Sequence, residues 1–157
     1  VPALSEMLPI IALYALFSGP LGEEPGWRGF ATPRLLASQP ALAGSLILGV
    51  IWAIWHFPLG LVGDLSLYGT INVVLAGVVF TWLYQNTGSV LLAIIMHVTH
   101  QNSVRFLGKV FIGGDYVQQQ WIAVAIWAII AVAIVAYYGT ESFVRRPRTQ
   151  LAVAGAV

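Results

Sequence analysis

The sequence predicts an all-α fold: a polytopic membrane bundle of about five transmembrane segments around a polar intramembrane cavity. Three observations predict it. Of 157 residues, 59% are hydrophobic and only 8% charged, against about 25% charged in ordinary soluble domains; mean hydropathy is +0.84. Five apolar stretches approach the roughly 20 residues that a helix needs to cross a bilayer core. The ionisable residues within or beside those stretches are few, and the candidates for chemistry among them are Glu23, Glu24, Arg28, His56, His97 and His100.

Taken in order, the first stretch runs from about Ala3 to Leu21, interrupted by Pro9 and by Gly19-Pro20. It lacks a basic leading region and contains Glu6, so it reads as a span and not as a signal peptide. The second, "ALAGSLILGVIWAIWHFPLGLV" (41–62), has no acid, lysine or arginine. The third covers about Leu65 to Tyr84, followed by a polar turn "QNTGS" (85–89). The fourth, "VLLAIIMHVTHQNSVRF" (90–106), becomes more polar along its length. The fifth, "WIAVAIWAIIAVAIVAYY" (121–138), is the plainest span, with aromatics at both ends where interfacial anchors sit.

With five spans, the loop at 22–40, the turn at 85–89 and the C-terminal tail share one side. That side collects Arg28, Arg34, Arg145, Arg146 and Arg148, while Lys109, and Arg105 near a helix end, lie on the other. The excess of arginine places the first group at the cytoplasmic face of the cell membrane and the N-terminus outside. Residues 1–140 form the membrane-embedded core. The tail 141–157 is read as basic, loose and a topology anchor. A net charge of +1 gives no case for nucleic acid. The absence of cysteine excludes disulfides, thiolate metal sites, a cysteine nucleophile and an acylated cysteine anchor. Val1 stands where a methionine would begin a complete chain, so the sequence is read as trimmed or as a fragment.

An ionisable group at bilayer depth costs about 2.5–3.5 kcal/mol on insertion scales, so such groups face cavities and pair with one another. In "GEEPGWRGF" (22–30), Glu24 and Arg28 are four apart and can form an ion pair on one helical face. Pro25 suits the first turn of a new helix, whose positive dipole end favours the neighbouring carboxylates. Glu23 points elsewhere and has no partner within the motif, as suits a general base. The bland alternative is an interfacial charge cluster anchoring a loop. His56 closes "WAIWHFP"; taken alone, it is as readily a packing residue as a catalytic one. His97 lies four residues before Gln101 and five before Asn102. Interhelical polar bonding worth about 1 kcal/mol each is the alternative there, and it suits His100 better than His97.

Glu-Glu-x-x-x-Arg at 23–28, aromatic-x-x-x-His at 52–56 and a His-amide helix at 97–102 follow in that order on three membrane segments. The combination resembles the CPBP family, the type II CAAX prenyl endopeptidase and bacteriocin-processing (Abi) group, over about residues 17–107. The resemblance implies that Glu23 and His56 position and activate a water. It implies further that Glu24 pairs with Arg28, and that His97 with an amide forms an oxyanion hole. The family's third motif is His-x-x-x-Asn, whereas Gln101 stands four residues after His97 and Asn102 one further. On a regular helix Gln101 lies about 40° from His97 and Asn102 about 140° away, so Gln101 is expected beside His97; a π-bulge between 97 and 102 would exchange them.

The implied function is intramembrane endopeptidase activity on membrane-associated protein or peptide substrates, by a glutamate-activated water. Two histidines and a glutamate could hold a catalytic zinc. The sequence nevertheless lacks His-Glu-x-x-His, and the resemblance favours catalysis without a bound metal, so no cofactor is expected and zinc is the alternative. A non-catalytic immunity or partner-binding protein of the same fold is the competing function. A small transporter is a third, disfavoured by the absence of an inverted repeat. Oligomeric state is left open by the sequence.

Overall fold

The computed structural model describes residues 19–61 and 66–145, and every regular element among them is helical. The first predicted span and the end of the tail lie outside the described residues. The chain begins with α1 (Pro20–Glu24), passes into a π-helical segment (Pro25–Ala31) and continues as α2 (Thr32–Leu36). Then follow α3 (Ala41–Trp55), α4 (Phe57–Leu61), α5 (Leu67–Thr87), α6 (Val90–Val110) and α7 (Gly113–Tyr138).

Two of these helices, α5 and α7, are long and apolar enough to cross a membrane; α3, at 15 residues, is apolar but shorter. α7 leaves Ile122, Ile126, Ile129 and Val132 exposed. An apolar face of that extent needs lipid or a partner.

Several predicted boundaries move. The second span breaks at His56, two residues before Pro58. Proline has no N–H to continue the ladder, and its ring crowds the carbonyl four residues back. The polar turn shrinks to Gly88 and Ser89: α5 runs through Thr87 and ends on Gly88 at φ 63°, a left-handed conformation that glycine adopts without a Cβ clash. Ser66 and Ser89 cap α5 and α6 by accepting from the N–H groups of Gly69 and Leu92. The segment read as a cytoplasmic loop from 22 is helical without interruption from Pro20 to Leu36. Glu24 is therefore held roughly 15 Å along a helix from Arg34, at about 1.5 Å per residue.

α3 and α5 run antiparallel and approach so closely that side chains are excluded at the crossing. A Cβ on Gly49 would meet the Val74 carbonyl oxygen at 2.7 Å, and one on Gly77 would meet Gly49 Cα at 2.8 Å and Ser45 O at 2.9 Å. Small residues at the contact let dispersion operate between backbones where lipid supplies no hydrophobic drive. α5 also packs on α7, with Val78, Val79, Ala131 and Ile134 buried between them.

The start of the tail is not loose, contrary to the reading from the sequence. Phe143 is completely buried. Its N–H donates to Gln85 Oε1 and its carbonyl accepts from Asn86 Nδ2. Ala41 and Leu42 donate to the carbonyls of Glu141 and Thr140, satisfying N–H groups that the start of α3 leaves open. A basic composition did not reveal this because one aromatic side chain and backbone groups do the anchoring. This end of the bundle carries Arg34 and Arg145, and Lys109 stands at the opposite end of α6.

The crossing yields a sharp expectation. Gly77→Ala forces backbone apart and should destabilise by about 1–3 kcal/mol, as overpacking does. Gly114→Ala, where a Cβ meets nothing within 4 Å, should leave thermal unfolding in detergent unchanged. Equal melting temperatures for the two variants would refute the close crossing.

Candidate active site

The site grows from the irregular helix 20–36. Pro25 and Pro33 both lack an N–H, and Pro33 would drive its ring into the Gly29 carbonyl in a regular α-helix. The backbone widens to π geometry between them, and Thr32 bonds to the Trp27 carbonyl five residues back through both its N–H and its hydroxyl. Such widened turns are frequent at functional sites. α6, by contrast, is regular α-helix through 97–102, so the π distortion lies in the first motif and not in the third.

Glu24 and Arg28 are both fully buried. Arg28 Nη1 donates to Glu24 Oε1 at 3.1 Å and stands 3.1 Å from Oε2 as well, at an angle that makes no hydrogen bond to it. The guanidinium carbon lies 4.2 Å from the Trp52 ring centroid and 4.5 Å from that of Phe80. Two aromatic rings thus supply cation–π attraction to an ion that water does not reach. Arg28 Nε and Nη2 have no hydrogen-bond partner among the described residues, so these contacts and Glu24 carry the compensation.

His97 is buried, and its Nδ1 lies 2.7 Å from Glu24 Oε1. A carboxylate only accepts, so Nδ1 donates and Nε2 is left for other partners. The polar partner of His97 is therefore the second glutamate; no bond joins it to either amide. Asn102 Nδ2 donates to the Val98 carbonyl at 2.9 Å, whereas Gln101 makes no hydrogen bond to the described residues.

Glu23 is half-buried and its Oε2 accepts from Trp52 Nε1 at 2.7 Å. What holds Glu23 is thus Trp52. Trp52 also accepts at its carbonyl from His56 Nδ1, at 2.8 Å. Because a carbonyl has no proton to give, His56 carries its proton on Nδ1, and Nε2 of the neutral ring is an acceptor. The Trp52 ring contacts His56 and His97, with centroids at 5.8 and 5.2 Å. Trp52 entered the sequence analysis only as the aromatic of aromatic-x-x-x-His; the i, i+4 spacing to His56 was the signal that both share a face. His100 turns away and sets its ring 4.8 Å from Trp127.

Glu23, Glu24, Arg28, Trp52, His56 and His97 thus converge from three separate elements, joined by Trp52 and Glu24. Among the described residues no three of His, Asp and Glu come together as metal ligands. The arrangement offers a half-exposed carboxylate, an imidazole acceptor and a second imidazole backed by a buried ion pair. A carboxylate and an imidazole so placed can accept and give protons.

The family profile described as type II CAAX prenyl endopeptidase Rce1-like matches residues 5–102. A curated relative, CAAX prenyl protease 2 of Methanococcus maripaludis, is 30% identical over an alignment of 106 residues covering 59% of this chain. The match spans 38% of that relative's own length.

The buried network sets one expectation here. Glu24→Ala leaves Arg28 charged and His97 without its acceptor, and breaking a buried pair by removing one partner costs about 3–5 kcal/mol. The variant should show a markedly lower melting temperature in detergent and a poor yield of folded protein. Unchanged stability would show that Arg28 is compensated by its aromatic rings alone.

Proposed function

The chain belongs to the Rce1-like family of type II CAAX prenyl endopeptidases, and from that premise we propose that it is an intramembrane endopeptidase acting through a glutamate-activated water. The observation that carries the proposal is the pairing of Glu23 and His56 through one residue, Trp52, which holds the carboxylate with its indole N–H and the imidazole with its carbonyl. In this scheme a water sits between Glu23 and His56 Nε2. Glu23 takes a proton as the water oxygen attacks the scissile carbonyl, and returns it to the leaving amine. His56 Nε2 accepts the second water hydrogen and fixes the lone pair in line.

The oxyanion falls to His97 and Gln101. With Nδ1 committed to Glu24, a second proton on Nε2 makes His97 a donor. Glu24, Arg28 and His97 then carry one net positive charge beside the developing negative one. Of the two amides, Gln101 is assigned the donor's role because Asn102 Nδ2 is tied to its own helix. The scheme uses no metal ion. The substrates proposed are membrane-associated proteins or peptides, prenylated CAAX proteins among them. The chain is placed as a multi-pass cell-membrane protein with the Arg34 and Arg145 end cytoplasmic, as arginine-rich ends are.

Proteoliposomes carrying the full chain, offered a farnesylated CAAX peptide and its unprenylated counterpart, test the scheme. Glu23→Gln keeps the shape and the acceptor for Trp52 but removes the base. Cleavage should fall by about 10²-fold or more at unchanged thermal stability, and dialysis against chelator should spare the wild type. Near-normal turnover by Glu23→Gln would remove Glu23 from the reaction, and loss of activity with stoichiometric zinc would replace the water-only scheme.

The assignment of the amide has its own measurement. Losing one oxyanion donor typically costs about 10²–10³ in rate, so Gln101→Ala should slow cleavage well beyond Asn102→Ala, and Gln101→Asn should retain much of it. The reverse order would assign the oxyanion to Asn102.

A further inference from the structure

Asn72 is 4% exposed, and its buried Oδ1 has no hydrogen-bond partner among the described residues. Gln120 is 3% exposed; its amide nitrogen makes one bond, to Gln119 Oε1 at 3.0 Å. A buried amide left unpaired costs the full desolvation of the group, so the chain bears a standing penalty at Asn72.

The two carboxamides lie on neighbouring helices, α5 and α7. Asn72, Ala76 and Phe80 recur every four residues along one face of α5, and Ala76 and Phe80 pack in the cluster around Trp52 and Ala93. Gln120 and Trp127 are seven apart on α7. α5 and α7 run in the same direction, and Phe80 stacks on Trp127 at 6.4 Å with the rings 21° apart. Two turns back from that stack, both helices reach their carboxamides. The contact of Tyr68 with Trp121, 4.9 Å between ring centroids, holds the helices together there.

The direction from the stack matters. α3 is antiparallel to α5, so His56, one turn beyond Trp52 on α3, lies on the same side of the aromatic layer as Asn72. A turn is about 5.4 Å of rise, close to two residues of extended chain at about 3.3 Å each.

We propose that Asn72, with Gln120 on the neighbouring helix α7, binds the peptide backbone of the substrate about two residues from the scissile bond. The inference rests on the endopeptidase reading. A carboxamide presents one acceptor and an N–H donor in one plane, and so matches a peptide unit: Oδ1 accepts the substrate N–H and Nδ2 donates to its carbonyl. The need is mutual. A chain extended for hydrolysis has lost its internal hydrogen bonds, and away from the catalytic water protein groups must replace them. Asn72 and Gln120 are positioning residues; neither touches the reacting atoms.

Asn72→Leu, close in shape and without polar atoms, tests this in the full chain in proteoliposomes. Removing an unpaired buried amide should leave the melting temperature unchanged or raise it. Losing a substrate hydrogen bond in a dry site should raise KM for the farnesylated CAAX peptide about tenfold, with kcat changed much less. Gln120→Leu should raise KM in the same direction. An unchanged KM overturns the proposal. So does a lower melting temperature or failure to fold in both Asn72→Leu and Asn72→Ala, since either means that the amide is paired within the protein. If the wild type cleaves no peptide, the endopeptidase reading fails by itself. Binding of the same peptide, followed by tryptophan fluorescence, then decides the amide's role: weaker binding to Asn72→Leu supports it and equal binding overturns it.

Discussion

Glu24 Oε1 receives two hydrogen bonds, from Arg28 at 3.1 Å and from His97 at 2.7 Å, and the arrangement of the rest depends on that atom. A guanidinium with no exposed surface cannot give up its proton and must be compensated on the spot. Glu24 supplies the counter-charge, and Trp52 and Phe80 supply the ring faces. The compensating groups come from α3, α5 and the helix 20–36, and Glu24 carries the link on to α6. Four elements are thereby held at one point by a charge that none of them can leave unpaired. Burial of that kind is weak evidence for net stability but fixes geometry strongly.

Trp52 is the second fixed point. Its ring covers Arg28, its N–H holds Glu23, and its carbonyl holds His56. One side chain and one backbone group therefore set the relative positions of a carboxylate and an imidazole that come from separate helices. This works only if α3 keeps its distance from its neighbours. The glycine crossing at Gly49 and Gly77 brings α3 against α5 backbone to backbone, and Phe80 of α5 then reaches the Trp52 ring, with centroids 5.8 Å apart. The small residues and the large aromatic ones are complementary: the first allow close approach, the second fill the interior opened beyond it.

What could be read from the sequence follows from what is local. Apolar length and the break at Gly88 gave α5, α6 and α7, because hydropathy and turn chemistry act over a few residues. The spacing of Glu24 and Arg28 placed them on one face for the same reason. The π-helical widening was not legible, since Pro25 read as the first turn of a new helix and not as part of one distorted helix. Nor was the anchoring of Phe143, which depends on Gln85 and Asn86 almost sixty residues earlier. The bond from His97 to Glu24 crosses 73 residues. The sequence reading paired His97 with its near neighbours Gln101 and Asn102 because sequence spacing only reports contacts within one helix.

The adjacency of Glu23 and Glu24 shows how one backbone gives two carboxylates different tasks. Successive residues on a helix point about 100° apart, so neighbouring glutamates cannot share surroundings. Glu24 turns inward, where Arg28 and His97 both bond to its Oε1 and the side chain has no exposed surface. Glu23 turns towards Trp52, which holds one oxygen and leaves the side chain half-buried. In the proposed reaction that difference is the division of labour. The glutamate whose charge is balanced inside the protein organises the site, and the one without an ionic partner among the described residues is left to exchange a proton with water. Exchanging the two by a rotation of the helix would strand Arg28, so the ion pair that holds the fold also determines which glutamate faces the substrate.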